Sequence, residues 1–134
     1  MKMQLRLTLA VVIVAGACSG CLVIPARYTA RPGAAGIVID AQNMAPVHDA
    51  VVTVASSPNG RHLAGAVTGA DGGFSIRPLR KWGLFVWPGD PFSEHFRLTV
   101  ERPGYRTASQ IFWHSGLNRY VTNFADFALE PVSP

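Results

Sequence analysis

Cysteine is scarce: the 134-residue chain has two, Cys18 and Cys21, and none after them. A disulfide-stapled fold would distribute cysteines through the domain, so that class is excluded. Charge is also thin, with Asp, Glu, Lys and Arg at 15% of residues and no clustered basic stripe of the kind nucleic acid requires. The four histidines, His48, His62, His95 and His114, stand far apart, and no His-x-x-Glu or His-Glu-x-x-His occurs. Ser75, Ser109 and Ser115 lack a nucleophile-elbow setting. These absences point away from an enzyme, and no cofactor or metal is expected.

A long apolar run is missing too. The apolar run after Lys2 and Arg6, Leu7 to Ala17, is 11 residues long, against the roughly 20 residues a spanning helix needs. It ends in the small-residue cluster Gly16-Ala17-Cys18-Ser19-Gly20-Cys21. A charged start, a short apolar middle and a small-residue cut site make a secretory signal over residues 1–20. Ser19-Gly20-Cys21 resembles the bacterial lipobox, in which the cysteine thiol takes a diacylglycerol before cleavage. That resemblance implies Cys21 as the lipidated first residue of the mature protein. Cys18, within Ala15-Gly16-Ala17-Cys18, is the alternative, because Cys18 stands where Leu is usual before Cys21. An ordinary secreted protein cut near Ala15 to Ala17 is the rival reading.

A lipid at Cys21 makes the membrane a partner through a covalent anchor, since two or more acyl chains hold a protein stably where one does not. The compartment is then the cell envelope, facing the periplasm or the exterior. Leu22 after Cys21, rather than Asp, resembles outer-membrane sorting. Loss of Lys2 and Arg6 lowers the formal charge of +4 by two, so the basic balance belongs partly to the signal. Arg dominates what remains, Lys81 being the sole lysine beyond the signal.

Residues 21–34, with Pro25, Pro32 and Gly33, read as a tether, and residues 35–130 as one domain. Within it, short β-rich runs alternate with turn residues. Strands are expected at Gly36 to Asp40, Ala50 to Val54, Leu63 to Thr68, from Phe74, at Phe96 to Glu101, Thr107 to Trp113 and Asn123 to Leu129. Ser57-Pro58-Asn59-Gly60, Asp71-Gly72-Gly73 and Pro103-Gly104 supply turns. Phe96, Leu98 and Val100 alternate with Arg97, Thr99 and Glu101, which gives one buried and one wet face. Leu117, Tyr120, Val121, Phe124 and Ala128 also fit helical spacing, so the last strand has a helical rival. The expectation is an all-β fold: a single antiparallel seven-stranded β-sandwich after the signal segment.

The order of Gly36-Ile37-Val38 with Asp40, Pro46 with Ala50-Val51-Val52-Thr53-Val54, Thr68 with Asp71-Gly72-Gly73-Phe74-Ser75-Ile76, and Leu98-Thr99-Val100 before Pro103-Gly104-Tyr105 resembles the carboxypeptidase regulatory-like domain. That family's transthyretin-like or immunoglobulin-like sandwich is a folding module of exported bacterial proteins, and it implies no catalysis. Transthyretin-like hydrolases of ureides share the broad fold, but their C-terminal tetrapeptide is absent from Glu130-Pro131-Val132-Ser133-Pro134.

The chain departs from the family by a longer connection, Leu79 to Glu94. Within it, Arg80 to Phe92 concentrates aromatics with Pro and Gly. Trp82, Phe85, Trp87 and Phe92 are the candidate binding residues, for an envelope protein, a glycan or a membrane surface, because aromatics on loops anchor interfaces. Their alternative use is to cover an open sheet edge or fill the core. Three functions follow in order: a non-enzymatic structural or protein-interaction module, a carbohydrate or small-molecule binder using the 80–92 aromatics, and a hydrolase. His48-Asp49 is expected to serve its turn rather than a metal, because ligands must converge.

Overall fold

The structure is a computed structural model that describes residues 22–87, 94–115 and 122–132. Its elements are β1 (Leu22–Arg31), β2 (Gly33–Asp40), β3 (Val51–Ser57), β4 (His62–Val67), β5 (Gly73–Ile76), β6 (Leu79–Trp87), β7 (Glu94–Glu101), β8 (Ala108–His114), β9 (Thr122–Phe124) and β10 (Phe127–Leu129). All are strands, and no helix among the described residues is long and apolar enough to cross a membrane.

One sheet has the order β4-β3-β7-β8, antiparallel throughout. Its centre follows from alternation. Val52 and Val54 of β3 stand opposite Val100 and Leu98 of β7, and all four are fully buried. Arg97 and Glu101 point to the wet face, as the period of two requires. The second sheet centres on β2, with antiparallel β5 on one side and parallel β9 and β10 on the other. Its Ala34, Val38, Phe74, Ile76, Phe127 and Leu129 join the same core cluster as Phe96 and Leu98 of the first sheet. Each such large side chain taken from water stabilises the fold by about 1.5–3 kcal/mol.

Turn chemistry connects the sheets. Gly72 has φ of 74°, and a Cβ on it would lie 2.4 Å from the Val38 carbonyl oxygen, so only glycine fits there. Its own carbonyl accepts the Val38 N–H, and Asp71 Oδ1 accepts the Gly73 N–H at 3.0 Å. Thr68 is buried, and its Oγ1 donates to the Val47 carbonyl at 2.7 Å while accepting the Ala50 N–H at 2.9 Å.

The expected all-β sandwich is what the chain forms, with ten strands among the described residues in place of seven. Six of the expected strands are present near their expected bounds. The last, Asn123 to Leu129, is broken into β9 and β10, and both run parallel to β2. The break passes over Gly36, where a Cβ would lie 1.9 Å from the Ala125 carbonyl oxygen. Asp126 Oδ1 takes the Ile37 N–H at 3.0 Å, so a side chain closes the ladder where the backbone has left it. The helical rival lies partly outside the described residues, over 116–121, and 122–129 is strand, kink and strand.

The other two strands come from segments expected to be irregular. The tether is β1, and the connection containing Arg80 to Trp87 is β6. They pair antiparallel from Leu22 opposite Trp87 to Arg31 opposite Leu79, with a register shift between Thr29 and Arg31. Pro25 reads as a breaker, yet in a two-stranded ribbon each strand has a free edge on which a missing N–H is tolerated. The tether reading is corrected for 22–31 because the partner strand lies far along the chain, beyond the reach of local turn signals.

Candidate functional site

Two places outside the core have unusual chemistry: the β1–β6 ribbon and the cleft at its base. The two ribbon strands contact chiefly each other. Directly opposed residues of an antiparallel pair share a face. On one face Val23, Pro25 and Arg27 of β1 therefore accompany Trp82 and Leu84 of β6, and all five are exposed. On the other face Ile24 is exposed, Ala26 and Tyr28 are half-buried, and Lys81 lies opposite Tyr28.

Of the candidate binding residues, Trp82 is on the ribbon at 72% exposure, neither filling the core nor covering a sheet edge. The backbones of Phe85 and Trp87 pair with Ile24 and Leu22. Phe92, Cys21 and the alternative lipid acceptor Cys18 lie outside the described residues. Trp113 is exposed on β8, the edge of the four-stranded sheet, away from the ribbon register.

The cleft is ≈ 330 Å³ in volume, and its lining includes Thr29, Arg31, Arg61, Lys81 and Glu94. Arg31 joins the ribbon to the sandwich, its Nη1 donating to the Leu63 carbonyl at 3.2 Å and its Nη2 to the Arg77 carbonyl at 2.8 Å. Its Nε and the buried Thr29 Oγ1 have no hydrogen-bond partner among the described residues. Arg31, Arg61 and Lys81, opposed by the one carboxylate of Glu94, give the cleft lining a cationic excess. No local signal in the sequence marks the cleft, because its lining residues come from widely separated parts of the chain.

The remaining polar clusters are architectural. Tyr105 Oη donates to Asp40 Oδ2 at 2.9 Å, and Asp40 Oδ1 accepts the N–H groups of Gln42 and Asn43 at 2.7 and 3.2 Å. The Gln42 N–H, then the tyrosine hydroxyl, hold the Asp40 carboxyl below its ordinary 3.8. The same bond raises the Tyr105 hydroxyl above its ordinary value. Tyr105 thus ties the connection between β7 and β8 to the end of β2. His48 Nδ1 meets Asp49 Oδ2 at 2.7 Å on the surface. No group of three metal-ligating side chains occurs among the described residues.

No protein-family profile matches the chain, and no curated protein does. Among solved structures, it is similar to 3-chlorocatechol 1,2-dioxygenase from Rhodococcus opacus 1CP, with 13% identity and a TM-score of 0.46 over 75% of this chain. The chain spans 59% of that dioxygenase. It is also similar to the C-terminal domain of the shaft pilin SpaA from Lactobacillus rhamnosus GG, with 12% identity and a TM-score of 0.39, covering 80% of this chain and 99% of that domain.

Proposed function

We propose that the chain is a non-enzymatic lipoprotein of the cell envelope, anchored through acylated Cys21, whose sandwich is a structural or protein-interaction module of the carboxypeptidase regulatory-like kind. The observation that carries this reading is the run from Lys2 and Arg6 through the uncharged Leu7 to Ala17 into Ser19-Gly20-Cys21, placed directly before the folded domain. The lipid confines the domain to a bilayer surface, outer membrane in preference to inner, and the sandwich presents two sheets and their loops to neighbours there. Mass spectrometry of the mature N-terminus tests it. A diacylglyceryl-modified, N-acylated Cys21 is expected, and an unmodified terminus upstream of both cysteines would refute the anchor.

A second reading, small-molecule binding, is supported by the cleft rather than by the aromatics first singled out for it. Its cationic lining, Arg31, Arg61 and Lys81 against the single Glu94, favours a small carboxylate or phosphate. Calorimetric titration with phosphate and with uronic acids checks this, and unchanged heats in Arg61→Ala would count against the cleft.

A further inference from the structure

We infer that the β1–β6 ribbon is a membrane-seating element: its far end enters the lipid interface and its cationic base meets anionic headgroups. Its orientation toward the bilayer rests on the lipid-anchor reading.

A two-stranded ribbon is marginally stable in water on its own, and this one contacts chiefly itself. Its far end exposes apolar side chains on both faces, Leu84 at 71% and Val23 at 52% on one and Ile24 at 39% on the other. The paired segments there are Leu22-Val23-Ile24-Pro25 and Leu84-Phe85-Val86-Trp87, eight residues without a charge. Apolar surface exposed on both sides of so thin an element asks for a medium that surrounds it, where a single protein partner would cover one face.

Behind the apolar end, Arg27 stands opposite Trp82, Tyr28 opposite Lys81, and Thr29 opposite Arg80. Neither strand contains an acidic residue. Apolar tip, then aromatic and cationic residues at one level, then the sandwich, is the sequence of environments an element meets on leaving a bilayer. The reach agrees: Leu22 to Pro25 extends ~10 Å at ~3.3 Å per residue, and interfacial elements bury ~5–10 Å. The open edges of both strands keep the ribbon in the wet interface, since unpaired backbone groups are not tolerated deeper. Leu22 follows Cys21 directly, so an acyl chain on that thiol leaves from the apolar end. A second copy of the chain is the lesser occupant, because stacking two ribbons would bring Arg27, Arg80 and Lys81 of each near their like.

The test uses protein recovered after expression of the full chain, with Trp113→Phe so that Trp82 and Trp87 are the remaining indoles. It is combined with phosphatidylglycerol-containing vesicles whose acyl chains carry bromine, and tryptophan quenching is read beside the mass of the N-terminus. Strong quenching is expected. It should fall several-fold in the Val23→Asp, Leu84→Asp double variant and decline with phosphatidylcholine alone, while the thermal transition of the sandwich stays in place. Unquenched tryptophan on a protein whose N-terminus is acylated would overturn the ribbon's role and leave the anchor standing. Quenching with an unacylated terminus would support the ribbon and remove the anchor. A dimer by light scattering with unquenched tryptophan would assign the apolar end to a second copy and overturn the proposal.

Discussion

The sandwich and the ribbon are built from the same residue types in the same antiparallel pairing, and they differ in what faces them. Val52 and Leu98 lie under a second sheet and are fully buried, while Val23 and Leu84 alternate in the same way with nothing across from them among the described residues. A strand's alternation therefore specifies which side chains share a face, but burial comes from the layer opposite. The ribbon has the chemistry of an inner surface without a facing layer among the described residues, and this is the observation behind the lipid seat proposed for it.

The largest way to break that comparison is to carve the sandwich. Leu98→Ala should lower unfolding free energy by roughly 2–5 kcal/mol in chemical denaturation, as a cavity in a packed core does. Leu84→Ala on the ribbon should change it by less than about 0.5 kcal/mol. Equal costs would show that the ribbon belongs to the core. Next, Thr68→Val should cost about 1–3 kcal/mol, because the Ala50 N–H and Val47 carbonyl lose their bridging hydroxyl in a buried place.

A smaller, pH-graded effect is expected at Asp40. Its folded carboxyl ionises below the ordinary 3.8, so its contribution is complete above that pH and is lost as pH falls through the folded value. Asp40→Asn should thus lower the thermal midpoint at neutral pH, with the gap closing in acid. Tyr105 has the opposite sign: its folded value lies above 10.0, so its contribution is complete below that pH and is lost as pH rises through the folded value. The smallest expected effect in solution is that of Arg27→Gln with Lys81→Gln, which should leave the thermal midpoint unmoved and weaken only co-sedimentation with anionic vesicles. A fallen midpoint would give these cations a structural duty.

Much of the sandwich was legible because its signals are local. Phe96, Leu98 and Val100 announce a face within one strand, and Asp71-Gly72-Gly73 announces a reversal within three residues. The kink between β9 and β10 was not legible, since it follows from the close approach of Ala125 to Gly36 across two strands. Nor was the ribbon, whose strands each contain an apparent breaker, Pro25 and Gly83, and find their partners only across the intervening sandwich. The aromatic stretch was recognisable as chemically unusual from composition alone. Its form as a paired strand, and the cleft that Thr29 and Arg31 make at its base, required the register.

Amide hydrogen exchange, read strand by strand with and without anionic vesicles, tests most directly the claim that the sandwich completes itself and the ribbon does not. The account predicts that β3 and β7 amides are protected in both conditions, while β1 and β6 amides exchange fast in solution and slow markedly on vesicles. Ribbon amides as protected in solution as those of β3, and unchanged by lipid, would contradict it.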